Sequence, residues 1–243
     1  MTSLADSVAA AFALLWSADP ALMGILQRSL AVSTLACALA WLPGLALGAW
    51  LGVARFKGQA LCLALLNTLL AVPSVVIGLV VYLLLSRSGP LGFLGWLFSF
   101  KAMVLAQFLL VLPVIAALTR QLVADAEHSH GEQLASLGAR PLLRGLLLAW
   151  DERLALLTLL IAAFARAISE VGAVMVVGGN IEGFTRVMTT SIALETSKGD
   201  LPLALGLGLV LLGVVLGLNM LIALMRRAAQ GGTARLGLSG WGA

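Results

Sequence analysis

The stretch LPLALGLGLVLLGVVLGLNMLIALM, Leu201–Met225, runs for 25 residues without an ionisable side chain. A helix rises about 1.5 Å per residue, so about 20 apolar residues cross a hydrocarbon core of about 30 Å. This stretch is therefore read as a transmembrane helix. Four more runs meet the same test, near Leu26–Val53, Ala60–Leu85, Ala102–Val123 and Leu154–Val177. None alternates apolar and polar residues with period two, which favours helices over a barrel. Overall composition agrees: 61% of the residues are hydrophobic, 11% are charged and the mean hydropathy is +1.06. A soluble domain carries about 25% charged residues. The expectation is an all-α integral membrane protein of about five spans.

Basic residues set the orientation. With the N-terminus outside, Arg55, Lys57, Arg120, Arg140, Arg144, Arg153, Arg226, Arg227 and Arg235 fall on the cytoplasmic side. Arg28, Arg87, Lys101, Arg186 and Lys198 stay outside, and Arg166 lies within a span. This bias predicts an outside N-terminus and an inside C-terminus. The net charge of +4 does not indicate nucleic acid, because the cations lie between apolar runs rather than on one face. No Lys or Arg precedes Arg28, so no secretory signal peptide is expected. The chain divides into an outer segment 1–25, with a possible surface helix at Ser7–Trp16, a membrane domain 26–225 and a cytoplasmic tail 226–243.

The inner loop 124–153 is the longest polar stretch. Ser129-His130-Gly131-Glu132 has the spacing of a capping box, in which the hydroxyl and the carboxylate each accept from the other residue's amide. Glu132–Leu137 then suits a helix of about two turns, with Leu134 and Leu137 on one face. Gly138 suits the left-handed stop, and Pro141 blocks continuation. So short a helix needs a partner surface, either its own helix ends or another protein.

Arg166 and Glu170 stand near the middle of the fourth span. Each intramembrane charge costs about 2.5–3.5 kcal/mol on insertion scales. Four residues apart, they share a helix face and can pair. The pair either fixes packing and dimer register or lines a permeation path. Ser169 adjoins it, and Gly172 suits close packing. Gly178-Gly179-Asn180 breaks the span. Beyond it Thr185, Arg186, Thr189, Thr190 and Ser191 offer hydroxyls and one cation, suited to a hydrated oxyanion in transit or to an interfacial helix with a solvated polar face. His128 and His130, two apart, fit no helix-face ligand pair and are read as solvated loop residues, so no metal site is expected. Cys37 and Cys62 fall in apolar runs and suggest no disulfide. No Gly-x-x-x-x-Gly-Lys-Ser/Thr sequence and no nucleophile–base set occurs, so any ATP hydrolysis belongs to a partner.

Glu132, Ala135 and Gly138 resemble the EAA loop of ABC importer permeases. Gln133 and Leu134 stand where that family has its alanines, and Leu148-Ala149-Trp150-Asp151 replaces its Ile-x-Leu-Pro. Asn67-Thr68-Leu69-Leu70-Ala71-Val72-Pro73 with Gly78, Leu85–Gly92, Gln107 with Pro113, and Ala167–Ala173 are similar to sulfate-, molybdate- and tungstate-type permeases. Gly178–Ile181, Thr185–Thr190 and Glu195–Asp200 resemble the tungstate branch.

The resemblance implies a type I importer permease fold in the cytoplasmic (inner) membrane of a prokaryote. It implies a homodimer served by two ATP-binding-cassette ATPase subunits, which use ATP and Mg, and by an external or periplasmic oxyanion-binding protein. No cofactor is expected on this chain. Tungstate stands ahead of molybdate and sulfate as cargo. Ser129, Glu132, Ala135 and Gly138 would form the ATPase-coupling helix. Arg166, Ser169, Glu170, Asn180, Thr185, Arg186, Thr189, Thr190 and Ser191 would serve the pathway. A secondary transporter driven by an ion gradient is the rival reading, with Arg166 and Glu170 as coupling residues.

Overall fold

The computed structural model describes Trp16 and residues 20–236, with side chains throughout except at His130, Glu132, Arg226 and 228–236. The surface helix expected at Ser7–Trp16 lies outside the described residues apart from Trp16, as does the tail beyond Leu236. In chain order the helices are α1 (Pro20–Val53), α2 (Gln59–Ala71), α3 (Ser74–Leu85), α4 (Phe100–Ser136), α5 (Pro141–Asp151), α6 (Arg153–Ile168), α7 (Gly172–Gly178), α8 (Met188–Lys198) and α9 (Leu201–Leu236). A 3-10 turn, Gly92–Leu94, lies in the connection from α3 to α4.

Three helices are long and apolar enough to cross a membrane: α1, the Phe100–Ser129 part of α4 and the Leu201–Met225 part of α9. The count reaches five if each bent pair is one span. The chain is therefore an all-helical, multi-pass membrane protein. The expected second and fourth spans are not single helices. α2 and α3 meet at 97°, and α6 and α7 at 56°. At the first break Val72 is extended, with φ −62° and ψ 128°, because the ring of Pro73 crowds the helical conformation of the residue before it. Pro43 and Pro113 nevertheless lie inside α1 and α4 without ending them. α1 begins at Pro20, earlier than expected, and α9 runs on through the Gly-rich segment to Leu236.

Between apolar helices in lipid, association depends on close packing rather than on escape from water. α1 and α4 show this most clearly. Gly44, Gly48 and Gly52 recur every four residues and so form one bare stripe on α1. A Cβ at Gly44 would stand 2.8 Å from the Ile115 side chain, and one at Gly52 would stand 3.0 Å from Val123. A Cβ at Gly48 would collide with the Ala116 carbonyl. Val53, Val111, Ile115, Val123, Leu156 and Leu159 then join α1, α4 and α6 in one core, while Val81, Leu85, Met103, Val174 and Val177 join α3, α4 and α7 in another.

The two bent helix pairs pack against each other near their breaks. A Cβ on Gly78 of α3 would lie 2.8 Å from the Cα of Ala173, and one on Gly172 would lie 2.6 Å from the Val75 side chain and 2.8 Å from the Ser74 hydroxyl. By contrast, only 6% of the residues in the apolar window of α9 are fully buried in this chain, although Leu203, Leu207, Val210 and Val214 pack one side of it on the bundle.

Replacing Gly48 by Leu forces backbone apart along the α1–α4 stripe and costs about 3 kcal/mol. Thermal unfolding of the purified protein in detergent will show a lost or strongly lowered transition. Leu42, 73% exposed on α1, is the control, and Leu42→Ala shifts stability by no more than about 0.5 kcal/mol.

Candidate functional site

Two regions hold the candidate residues. The first is the turn between α4 and α5. The capping box expected at Ser129 does not form, because α4 continues unbroken from Phe100 to Ser136. Ser129 therefore stands inside a helix, exposed, and the helix is not an isolated two-turn piece. His128 and His130 lie on α4 as well, rather than in a loop. The stop at Gly138 is as expected. Gly138 has φ +76°, its amide donates to the Ala135 carbonyl at 2.9 Å, and the Ala139 amide donates to the Leu134 carbonyl at 3.2 Å. This paired closure is the Schellman arrangement, which satisfies carbonyls that a helix end leaves orphaned. Leu134 packs against the core while Leu137 is 81% exposed, so they do not share a buried face.

Pro141 does not merely stop the chain. It opens α5 at the first helical position, where its missing N–H costs nothing. Gly145, Leu148 and Ala149 seat α5 on the bundle, with Gly145 against the Ala49 carbonyl. Across the turn, Arg144 of α5 pairs with Glu127 of α4 at 2.9 Å, and both side chains are largely buried. Gly131, one turn along α4, has no side chain to collide with the Glu127 carboxylate. Ala135 and Gly138 are exposed at the tip. The result is an exposed corner braced on both arms.

The second region surrounds the break between α6 and α7. Arg166 is in the last turn of α6, and Glu170 lies in the break itself rather than mid-helix. The Arg166 Nη1 donates to Glu170 Oε2 at 3.1 Å. The two ends of this pair differ sharply: the Arg166 side chain is 61% exposed and that of Glu170 is 6% exposed. The other Glu170 oxygen, Oε1, accepts from the Ala173 amide at 3.3 Å. Glu170 thus caps the short helix α7, whose first amides have no partner within the helix. Ser169 is exposed, and its hydroxyl donates to the Ala165 carbonyl at 2.9 Å.

Beyond α7 the chain turns at Gly179, φ +68°, and Asn180, φ +50°. Asn180 donates its amide to the Thr190 carbonyl at 3.3 Å. Thr185 donates to the Gly178 carbonyl and accepts from the Ile181 amide at 3.0 Å. Thr189 donates to the Glu170 carbonyl at 2.7 Å, and Thr190 accepts from the Val187 amide at 3.2 Å. Thr185, Thr189, Thr190 and Ser191 are all buried. The polar face of α8 is accordingly not a solvated one. The hydroxyls of Thr185, Thr189 and Thr190 hold together the irregular backbone around α7.

Arg186 pairs with Glu182 at 3.3 Å, and it lines a cavity of about 610 Å³ together with Arg28, Ser191, Glu195 and Lys198. Three residues not singled out from the sequence for a role of their own hold this region to the bundle. Arg28 donates to the carbonyls of Arg186 and Gly183 at 3.0 and 3.2 Å. The Ser29 hydroxyl accepts from the Met188 amide at 2.7 Å. Gln107 donates to the Ala167 carbonyl at 3.0 Å. The visible signal was a polar group beside an apolar run: Gln27-Arg28-Ser29 together, and Gln107 alone. Among the described residues no group of three His, Cys, Asp or Glu could hold a metal ion.

No family model matches the sequence. Whole-chain similarity is more decisive. The tungstate uptake system permease protein TupB of Peptoclostridium acidaminophilum is 43% identical over 222 residues, covering 91% of this chain and 97% of that protein. The chain belongs to the ABC transporter permease family. A probable anion ABC transporter permease protein of Haloferax volcanii is 40% identical over 219 residues, with 88% and 94% covered. TupB of Campylobacter jejuni is 36% identical over 222 residues, with 91% and 93% covered. This permease is therefore aligned with these relatives over 88% to 91% of its length, and both regions described above belong to a translocation subunit.

Gly138 sets the corner of the permease by conformation alone, because a Cβ there would meet nothing within 4 Å. An L-residue in the left-handed region costs about 1–2 kcal/mol, with Asn cheapest. Thermal stability in detergent will therefore fall in the order Gly138, Gly138→Asn, Gly138→Ala, Gly138→Val. Equal stability across the series would show that the corner relaxes freely.

Proposed function

We propose that this permease is the membrane subunit of an ABC importer for tungstate in the cytoplasmic membrane of a prokaryote. The observation that carries the reading is similarity over 91% of the chain to two tungstate uptake permeases, at 43% and 36% identity. Two copies form the path, and two ATPase subunits using ATP and Mg drive it. An external binding protein delivers the oxyanion. The N-terminus faces outward, which places the α1–α2 turn and the α4–α5 corner in the cytoplasm beside most of the basic residues.

The α4–α5 corner suits an ATPase-docking element. Ser129, Glu132, Ala135 and Gly138 lie on or at the end of a helix of 37 residues that runs from the far side of the bundle. Displacement of its cytoplasmic tip is therefore carried through the membrane by one continuous element. The Glu127–Arg144 pair makes α5 move with it. Closure of the ATPases on ATP would draw the two corners together and turn the path outward.

Arg166 and Ser169 are the exposed polar groups of the break, so they suit the path directly. Glu170, Asn180, Thr185, Thr189 and Thr190 act by holding the broken backbone, and Arg186 with Ser191 faces the cavity near α1 and α8. An ion-gradient transporter would have no use for a braced cytoplasmic corner.

Reconstituted with its ATPase and binding protein, the permease will take up tungstate in an ATP-dependent way, with molybdate and sulfate as weaker competitors. Uptake that persists without ATPase, driven by a proton gradient, would sink this reading. Reversing the charge at Glu132 will abolish co-purification of the ATPase or its coupling to uptake. Arg166→Leu will lower uptake at least about tenfold, equivalent to about 1.4 kcal/mol. Normal uptake by the double variant Arg166→Leu with Glu170→Leu would assign the pair to packing alone.

A further inference from the structure

Gln107 has no place in the mechanism so far, yet it stands where the moving parts meet. It lies on α4, 4% exposed, in a helix that otherwise presents apolar residues to its neighbours here. Its Nε2 donates to the Ala167 carbonyl, the same oxygen that accepts from the Glu170 amide at 3.1 Å. Gln107 therefore grips the end of α6 at the point where the helix breaks. Its Oε1 is buried and has no hydrogen-bond partner.

Buried side-chain acceptors are nearly always satisfied, so an orphan calls for an explanation. The surroundings supply one. Gln107 lines a cleft of about 40 Å³ together with Arg166, Glu170 and the α2–α3 break at Leu70 and Val72. It also lines a smaller cleft of about 10 Å³ on its other side, with Ser33, Glu170 and Thr189. Packing is therefore loose around this one amide, while the glycine stripe of α1 is tight. In the larger cleft the nearby cation is Arg166, whose side chain is more than half exposed and joined to Glu170 by a single bond.

We propose that Gln107 is the positioning residue of the Arg166–Glu170 pair: its amide ties α4 to the broken end of α6, and its free Oε1 is the second acceptor to which Arg166 turns when α4 moves. Arg166 then has two resting places, one on Glu170 and one on Gln107. Glu170 keeps its bond to the Ala173 amide in both, so α7 stays capped while the exposed guanidinium shifts. The distance from Gln107 to Glu132 along α4 is about 38 Å at 1.5 Å per residue, so one helix joins the docking tip to this acceptor. The inference rests on the importer reading for the source of the movement, and not for the bonds themselves.

The test has one arm that needs no cargo. In the purified permease, Gln107→Leu will speed amide hydrogen exchange at Glu170 at least tenfold, because the carbonyl that holds that amide loses its anchor. In the reconstituted complex, Gln107→Leu will lower tungstate moved per ATP at least fivefold, with ATP hydrolysis and the KM for loaded binding protein each within twofold of the parent. Adding Arg166→Leu to Gln107→Leu will cost no more than a further twofold, since both changes remove one device. Unchanged exchange at Glu170 would overturn the proposal, and so would effects of the two substitutions that multiply independently. A parallel fall in uptake and hydrolysis would overturn it too, by making Gln107 a folding residue. Failure of the parent complex to move tungstate would count against the importer reading, and the exchange arm would still decide the anchor.

Discussion

A backbone that leaves the helix inside a membrane must find every hydrogen-bond partner within the protein, and this permease bends two of its apolar helix pairs sharply, by 97° and 56°. Each break frees amides and carbonyls in surroundings with no water to receive them, at several kcal/mol for each group left unpaired. The side chains around the second break answer that demand one by one. Glu170 takes the Ala173 amide, Gln107 shares the Ala167 carbonyl, Thr189 reaches the Glu170 carbonyl, and Thr185 closes the turn after α7. Nearly all the buried polar residues of this region follow from that one constraint. They belong to the fold first, and any part they take in transport is built on that role.

The same constraint explains why the breaks lie together. α3 and α7 meet through Gly78 and Gly172, so the two irregular segments share one small volume instead of exposing two to lipid. The glycine stripe of α1 has the complementary task. It brings α1 and α4 into backbone contact, leaving α4 as a continuous support against which the bent helix pairs are held. Rigid and yielding parts are thus separated within one bundle, with α4 touching both.

The spans were legible because run length and apolar composition report directly on the bilayer. The breaks were not, because composition is blind to direction. Pro73 was a signal, yet Pro43 and Pro113 sit in intact helices, so proline alone does not decide. What distinguishes Pro73 is that the chain there turns onto α7, a long-range contact that no local pattern shows. Ser129 failed for a different reason. A capping box marks a start only where the preceding residues leave the helix, and Ala124-Asp125-Ala126-Glu127 gives no cause to leave it. Gly138 was read correctly because a left-handed glycine is a local event. The hydroxyls of 185–191 were correctly seen as a group, but whether they face water or backbone depends on the fold around them.

The asymmetry of the Arg166–Glu170 pair bears on how an oxyanion could pass. A guanidinium at a path lined mainly by apolar groups would hold a dianion strongly if it stood alone. Here its charge is balanced by a carboxylate buried behind it, so an ion passing there would meet the cation first and the anion at greater distance. Attraction falls off quickly under that arrangement, which suits entry followed by release better than retention. In a homodimer two such pairs would face each other, offering donors from both sides with no net charge from the pairs. A pathway of this kind would draw its direction from movement of α4 rather than from affinity. The braced corner at Gly138 and the break at Glu170 would then belong to one mechanism, since α4 ends at the corner and Gln107, nearer its other end, bonds the Ala167 carbonyl beside the break.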